Sequence, residues 1–328
     1  MFMCSSDNIL LNGNFSSDLW TRIPASGAKV ECAVWRQTFA ADRWKVRFAA
    51  PEGNSVVQGM SGDVPVGTPV TRSLEIIGAV GVTQSVCVGQ RVEAAEAIRY
   101  RRRMKFSSWI RIDHPDSIAK VFQLSFGTPK QPDIFGGPAD NNVIIETCMR
   151  IDKVPVGCWW LLEREVDGRN FASNGLSVEL QFPSELLNSG ASNIRIAAVS
   201  LIDNCGGNRL VDRPNEIERI LVRRFFQKHS AKNINAIGRA LFCNPHELHF
   251  QMAFSEMRAR PAITLPQDNS DFCVFSADGQ PQSGFRYDVT FSSCGSLIIR
   301  AIKNRHQLRD GYLAFRGYKG AVFLDAEL

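Results

Sequence analysis

A chain of 328 residues is too long for one ordinary domain and right for two, at roughly 100–200 residues each. Its 44% hydrophobic and 22% charged residues exclude a disordered chain, a collagen and a coiled coil, and no window nears the run of about 18 apolar residues that a bilayer span needs. Residues 1–205 hold 21 Lys and Arg against 21 Asp and Glu, and residues 206–328 hold 17 against 12. The whole formal +5 therefore sits in the last third, an excess too small to point to a nucleic-acid partner.

Met1 to Asp7 have neither the positive n-region nor the apolar h-region of a secretory signal, so the expectation is synthesis and folding in a cytosol, with no membrane insertion. In chain order, short or alternating apolar runs rich in Val, Ile, Phe and Trp are punctuated by Gly, Pro, Asn and Asp. They predict strands over 29–35, 43–48, 73–77, 105–112, 121–126, 143–149, 159–166, 176–182 and 193–202. Credible crossover helices are missing between them, which predicts an antiparallel β-sandwich, most economically a jelly roll, over residues 1–205. Trp44 and Trp109, mid-strand among apolar alternators, are expected in its core.

The pattern breaks at 203–214, Asp-Asn-Cys-Gly-Gly-Asn-Arg-Leu-Val-Asp-Arg-Pro. One helix follows, with Asn215 as N-cap, Glu218 as its capping-box partner, and Ile217, Ile220, Leu221 and Phe225 as an apolar stripe. Residues 206–230 are thus read as linker and helix. Strand patterns then resume at 247–254, 262–265, 272–275, 287–291, 296–301 and 320–324, which predicts a smaller β-sandwich-like domain over 231–328. Gly279-Gln-Pro and Gly311-Tyr read as turns. The fold class expected is mainly β.

Nine cysteines, none closer than ten residues to the next, form no CxxC motif and read as mostly reduced, buried thiols, with Cys4 and Cys205 the candidates for bridges between subunits. His246-Glu-Leu-His249 has i+3 spacing and leads into an alternating strand, which puts the two imidazoles on opposite faces and excludes the zincin arrangement. Nucleophile elbows, P-loops and dinucleotide fingerprints are absent, no carboxylate pair stands out among 33 acids, and the chain reads as a non-enzyme without a cofactor. The basic run Arg99-Tyr-Arg-Arg-Arg-Met-Lys105 reads either as a solvated approach to a strand or as an anion patch that includes Tyr100 and Arg101. Adjacent Trp159 and Trp160 must point to opposite faces of a regular strand, so one leaves the core face for a neighbouring subunit or for the apolar C–H face of a sugar. Trp20 and Trp35 join Trp159, Trp160, Tyr100 and Arg101 as candidate glycan contacts.

Several of these residues also carry a resemblance. Asn8-Ile-Leu-Leu-Asn-Gly-Asn-Phe15, Trp20 and Ala41-Asp-Arg-Trp44 resemble the opening of jelly-roll modules in bacteriophage tail and fibre proteins, modules that are similar to carbohydrate-binding modules. Val82-Thr-Gln-Ser-Val86, Phe106-Ser-Ser-Trp-Ile-Arg111, Phe126-Gly127, Phe135-Gly-Gly137 and Ile194 to Leu201 follow in the family's order. Arg213 to Lys228 resembles the "RP…E…CQRYYQK" helix of such proteins, with Val222 for the usual Cys and Phe225-Phe226 for Tyr-Tyr. Phe254 to Thr264 and Leu324 to Leu328 match the remainder.

The resemblance implies a virion structural protein of tail-fibre or collar type, made in the bacterial host cytoplasm. It is expected to be a homotrimer, to join other virion proteins, and to contribute to host-surface polysaccharide binding. A structural calcium near the start of the jelly roll is a further implication, with Asp7, Asn8 and Asp203 as the oxygen donors. The alternatives are a purely architectural adaptor or decoration protein, and a polysaccharide depolymerase.

Overall fold

The period-2 alternation of the N-terminal two thirds folds into strands that bury every second side chain. A computed structural model describes residues 8–13, 15, 30–32, 37–39, 41, 43–48, 56–78, 80–82, 85–114, 121–135, 143–151, 155–170, 173–189, 191–203, 214–230, 236–266, 272–308, 310–315 and 321–326. The chain divides into two units, residues 1–222 with Leu328, and residues 223–327. The division falls within the helix that follows the Gly/Asn/Pro-rich stretch.

The first unit has twelve strands: β1 (Val30–Cys32), β2 (Gln37–Phe39), β3 (Lys45–Phe48), β4 (Val56–Ser61), β5 (Ser73–Ile77), β6 (Val86–Val92), β7 (Arg103–Asp113), β8 (Phe122–Pro129), β9 (Val143–Ile151), β10 (Trp160–Asp167), β11 (Leu176–Phe182) and β12 (Asn193–Asp203). They form two six-stranded sheets in the orders β1-β4-β5-β12-β7-β10 and β2-β3-β6-β11-β8-β9. All strand pairs within them are antiparallel. The chain passes repeatedly from one sheet to the other, as a jelly-roll wrapping requires. A helix of one turn, α1 (Ala94–Ala97), bridges β6 and β7.

Between the sheets lies one core. Phe106, Ile110 and Ile112 of β7 and Leu74 and Ile76 of β5 meet Val86 and Val88 of β6, Leu124 and Phe126 of β8, and Val178 and Leu180 of β11. Phe106 and Phe126 pack edge to face at 5.9 Å, and Phe122 stacks on Phe182 at 5.2 Å. Trp44 is buried as expected, its ring 5.4 Å from Phe15 and its indole N–H donating to the Asn12 carbonyl at 2.9 Å.

Trp109 is not in that core. On β7 the inward positions are Met104, Phe106, Ser108, Ile110 and Ile112, so parity sends Trp109 to the outer side of the first sheet. It packs there with Trp159 and Val64 against Val70, Ala197 and Ala198. β6, inner to its sheet, was not among the predicted strands, because its Cys-Val-Gly-Gln-Arg stretch interrupts the apolar pattern.

The opening motif is a clamp on β12. Asn8 Nδ2 donates to the Val199 carbonyl at 3.0 Å, and its Oδ1 accepts from the Leu201 and Leu10 amides at 2.8 and 3.1 Å. A Cβ on Gly13 would lie 1.9 Å from the Val199 carbonyl oxygen, so only glycine permits this approach. β12 is irregular here, its register against β7 shifting between Ala197 and Ser200, with Ala198 at φ 52°.

α2 (Asn215–Arg223) forms where predicted, and of the expected apolar stripe Phe225 is buried and Leu221 partly so. Ile217 and Ile220 are 49% and 65% exposed, whereas Glu218 and Val222 are buried. The Glu218 carboxylate accepts the backbone N–H of Asn12.

The second unit contains β13 (Phe226–Ser230), β14 (Ala236–Cys243), β15 (Glu247–Ala253), β16 (Ala262–Thr264), β17 (Phe272–Ser276), β18 (Pro281–Gln282), β19 (Arg286–Ser292), β20 (Ser296–Ile302), β21 (Gly311–Phe315) and β22 (Ala321–Asp325). They make an antiparallel three-stranded sheet, β13-β22-β16, and an antiparallel seven-stranded sheet, β18-β17-β21-β14-β15-β20-β19. Phe250, Phe272, Phe285, Ile299, Leu313 and Val322 are among the residues of its core. Residues 226–230, read from sequence as linker, supply a strand. Gly279, at φ 82°, is in the expected turn, but Gly311 begins β21, where a Cβ would meet the Phe275 carbonyl oxygen at 2.7 Å.

Candidate functional site

The polar half of the alternation in the second sheet builds a surface of its own. With Val46, Val88, Val178 and Leu180 turned into the core, Lys45 and Arg47 of β3, Cys87, Gly89 and Arg91 of β6, and Ser177, Glu179 and Gln181 of β11 fall on the opposite side. Register sets Lys45, Gly89, Glu179 and Ser125 in one row, and Arg47, Cys87, Gln181 and Gln123 in the next. A small depression lies here, lined by Lys45, Arg47, Cys87, Gly89, Gln90, Arg91 and Glu179. Gly89 makes the dip, since its place in the row between Lys45 and Glu179 has no side chain. A Cβ there would come 2.6 Å from the Val178 carbonyl oxygen.

Arg47 Nη2 bonds Glu179 Oε2 at 3.1 Å, both side chains being about one third exposed. Burial works against the Arg47 charge, but Glu179 and Cys87 more than offset it and its pKa is raised. Burial pushes the Cys87 thiol up, against the pull of Arg47 beside it, so this sulfur is a protonated thiol rather than a nucleophile at neutral pH. The Arg91 guanidinium lies over the Phe135 ring at 5.1 Å, a contact that orients it. Gln90 spends its amide on the backbone of Leu11, donating to its carbonyl and accepting from its N–H at 2.7 Å each. The described residues that line the depression carry two guanidiniums, an ammonium and one carboxylate, of which Arg47 and Glu179 pair with each other. That is a surface for hydrogen bonding and ion pairing.

The residues singled out from sequence are not brought together here. Trp20 and Trp35 lie outside the described residues. Trp160 packs against the main core and Trp159 against the small cluster on the outer side of the first sheet, so the pair does point to opposite faces. Trp159 Nε1 donates to Asp63 Oδ1 at 3.1 Å. Tyr100 is 6% exposed and belongs to the core, which leaves its ring no open face. Arg101 is exposed and donates to the Arg169 carbonyl at 3.2 Å.

Beside Trp159, Asp63 and Asp113 each pair with both Arg111 and Arg195, at 2.5 to 3.1 Å, and Glu75 pairs with Arg195 at 2.8 Å. The hydrogen bond to Asp113 leads the factors that raise the Arg111 pKa. This lattice consumes its own charges and holds the 62–72 loop to the sheet.

Of the three proposed calcium donors, the two that are described are engaged elsewhere. Both Asn8 side-chain atoms are engaged by backbone, and Asp203, buried, pairs with Arg102 at 2.7 Å. Asp7 lies outside the described residues, as do Cys4 and Cys205. Among the described residues no group of three His, Cys, Asp or Glu is placed to hold a metal ion. Cys87, Cys158, Cys243, Cys273 and Cys294 are thiols, of which Cys87 and Cys273 are buried. His246 and His249 diverge: Nδ1 of His246 lies 2.6 Å from the Asn304 carbonyl oxygen, while the His249 ring lies 5.2 Å from Phe242.

Sequence reasoning passed over Lys45, Arg47, Arg91 and Glu179 because it searched for aromatic rings. The available signal was the polar half of Lys45-Val-Arg-Phe48 and of Leu176-Ser-Val-Glu-Leu-Gln-Phe182. The pairing of β3, β6 and β11 that unites those halves is long-range and has no local mark in the sequence.

The first unit thus defines a class: a two-sheet antiparallel sandwich with a polar, shallow cleft on one sheet face. No protein-family model matches the chain, and no curated protein does. Among solved structures, the chain is similar to a family 51 α-L-arabinofuranosidase with bound arabinose (15% identity, 54% of this chain and 26% of that one, TM-score 0.33). It is also similar to a family 61 carbohydrate-binding module in complex with β-1,4-galactotriose (11% identity, 61% of this chain and all of that one, TM-score 0.32). A third is the enzymatically active domain of tailspike protein 4 of bacteriophage CBA120 (13% identity, 48% of this chain and 19% of that one, TM-score 0.30). The chain spans about a quarter of the arabinofuranosidase and a fifth of the tailspike.

Proposed function

We propose that this chain is a non-catalytic structural component of a phage or phage-like particle, of tail-fibre or collar type, whose first unit binds host-surface glycan through the polar face of its second sheet. The observation that carries the binding reading is the shallow depression on that face, walled by Lys45, Arg47, Arg91 and Glu179. A sugar chain presents hydroxyls and ring oxygens along an extended surface, and forked or multivalent side chains on neighbouring strands meet several of them at once. Each contact is weak, and many copies on one particle make the sum useful. The appendage assignment is supported by the ordered resemblance from Asn8 to Leu328, and with it come a homotrimer and other virion proteins as partners. A non-catalytic role is supported by Glu179, the one carboxylate among the described residues lining the depression and paired with Arg47, where glycosidases of the common type use two.

The test uses the full chain and a panel of bacterial envelope polysaccharides. The expected result is binding to at least one, lost in the double variant Arg47→Ala/Glu179→Ala, which removes both partners and orphans neither charge. No new reducing ends should form on incubation. Native mass measurement should give a trimer. Absence of binding across the panel overturns the glycan role, and released reducing ends overturn the non-catalytic one.

A second reading, a purely architectural adaptor, draws on the second unit. There Phe242 and Phe291 are 49% and 52% exposed, and the registers Phe242–His249–Arg300 and Gln251–Ile298–Phe291 put them on one face of the seven-stranded sheet. A stable oligomer that binds no polysaccharide would favour this reading.

A further inference from the structure

On α2 the two isoleucines that face solvent lie between opposite charges. Ile217 and Ile220 are exposed, and so are Glu216, which precedes them, and Arg223, which follows. At about 100° per residue, Glu216, Ile220 and Arg223 fall within an arc of about 60°, with Ile217 beside Ile220. The two charges are about 10.5 Å apart along the axis, too far to pair with each other. Among the described residues neither has an ion-pair partner. The helix dipole favours acid in the first turn and base in the last, which suits both charges but leaves the isoleucines between them unexplained.

The order of this stripe is complementary to itself. A second α2 laid antiparallel against the first, about a two-fold axis, sets Glu216 of each copy level with Arg223 of the other. At 1.5 Å per residue, Ile220 then lies within about 1 Å of the axis and meets its own counterpart. Ile217 falls about 3 Å along from the Ile220 of the other copy, on the same side of the contact in both. Four isoleucines are thus closed between two ion pairs, and no charge of the stripe meets a like charge. That is the self-matching pattern an isologous contact requires.

We infer that α2 is a contact between two copies of this chain, paired antiparallel across a two-fold axis through Glu216, Ile217, Ile220 and Arg223. The contact is independent of the glycan face. On the threefold assembly proposed above it joins one trimer to another, and on a single chain it makes a dimer. Two helices of this length bury less than the roughly 1,200–2,000 Å2 of a stable interface. The pairing is therefore weak alone and gains strength where several copies are held together.

The experiment follows the mass of the full chain by sedimentation velocity, from low micromolar to the highest attainable concentration. The assembly should double as concentration rises. Ile220→Glu sets two carboxylates on the axis and should abolish the doubling, whereas Val66→Glu, at an exposed position in the 62–72 loop, should leave it unchanged. Glu216→Arg and Arg223→Glu should each weaken it about tenfold or more, because each brings like charges together at both ends. Mixed in equal amounts, these two variants should pair with each other, since every end then joins an arginine to a glutamate. Ile220→Cys, mildly oxidised, should give a disulfide between two copies at position 220, identified by peptide mass. Circular dichroism and the thermal midpoint verify folding of each variant, and recovery in the mixture is a result that misfolding does not produce. Failure to double at any concentration, or doubling that survives Ile220→Glu, overturns the contact. So does a mixture of the two charge variants that stays unpaired, or a link from position 220 to a different position, which would seat another surface on α2. None of these outcomes bears on the polysaccharide panel.

Discussion

Asn8 holds the N-terminal segment to β12 with one donated and two accepted hydrogen bonds, and all three partners are backbone groups. Removing its side chain leaves the Leu201 and Leu10 amides and the Val199 carbonyl to find other partners in a setting half closed to water. Asn8→Ala should therefore cost about 2 kcal/mol, the usual scale for orphaning partly buried polar groups. Asn8→Asp keeps the two acceptor interactions and should cost less. Equilibrium urea denaturation of the full chain reads both. Equal losses for Ala and Asp would mean that the donated bond to Val199 carries the whole effect. Asn8 was legible in the sequence only through the resemblance of its motif, and its amide, offered there to calcium, is engaged by backbone.

At the scale of elements, the outer side of the first sheet shows how one loop is held. Asp63, at the start of the 62–72 loop, accepts from Trp159 Nε1, Arg111 and Arg195, while Val64 and Val70 pack with Trp109 and Trp159. Asp63→Ala keeps the apolar half of this attachment, and Asp113 and Glu75 still neutralise the guanidiniums. The loss should be about 1 kcal/mol, because the group is a third exposed and solvent screens it. Indole emission should shift red as the Trp159 N–H loses its partner. An unchanged midpoint and spectrum would show the loop to be held by Val64 and Val70 alone.

The elements themselves were largely readable. β5 and β11 match their apolar patterns residue for residue, and β7, β10 and β12 to within two. β6 and β14 were missed because glycines placed for close strand approach break the apolar run, as Gly89 and Gly238 do, and β21 because its opening Gly311-Tyr reads as a turn. The stripe of α2 was half right: Phe225 is buried and Leu221 partly so, but Ile217 and Ile220 are exposed while Glu218, polar by pattern, is drawn inward by the Asn12 amide. The same limit hid the candidate cleft. Alternation tells that Lys45 and Arg47 share a side, but not that β6 and β11 pair beside them.

For the molecule as a whole, the two units differ in what acid does to them. All six Trp fall in the first unit, so indole emission reports that unit alone and far-UV circular dichroism is needed for the second. Two histidines of the second unit titrate below their ordinary value of 6.5. Burial and then Arg223 lower His229, and burial, Lys303 and His246 lower His306. Above pH 6.5 both are neutral whether the chain is folded or not, and they contribute no pH dependence. As pH falls through 6.5 the unfolded chain takes up protons that the folded unit resists, so stability declines, and the decline ends only below the depressed folded values. The carboxylates held low by their hydrogen bonds, Asp278 to Ser276 and Asp288 to Arg300, lose their contribution in a separate window below about pH 4. Thermal unfolding of the full chain, followed by circular dichroism, should therefore show a falling midpoint between about pH 7 and pH 5. His229→Gln/His306→Gln should flatten that slope while leaving the loss below pH 4 in place. A slope unchanged in the double variant would assign the decline to other groups and refute the placement of these two imidazoles as half-buried side chains that resist protonation.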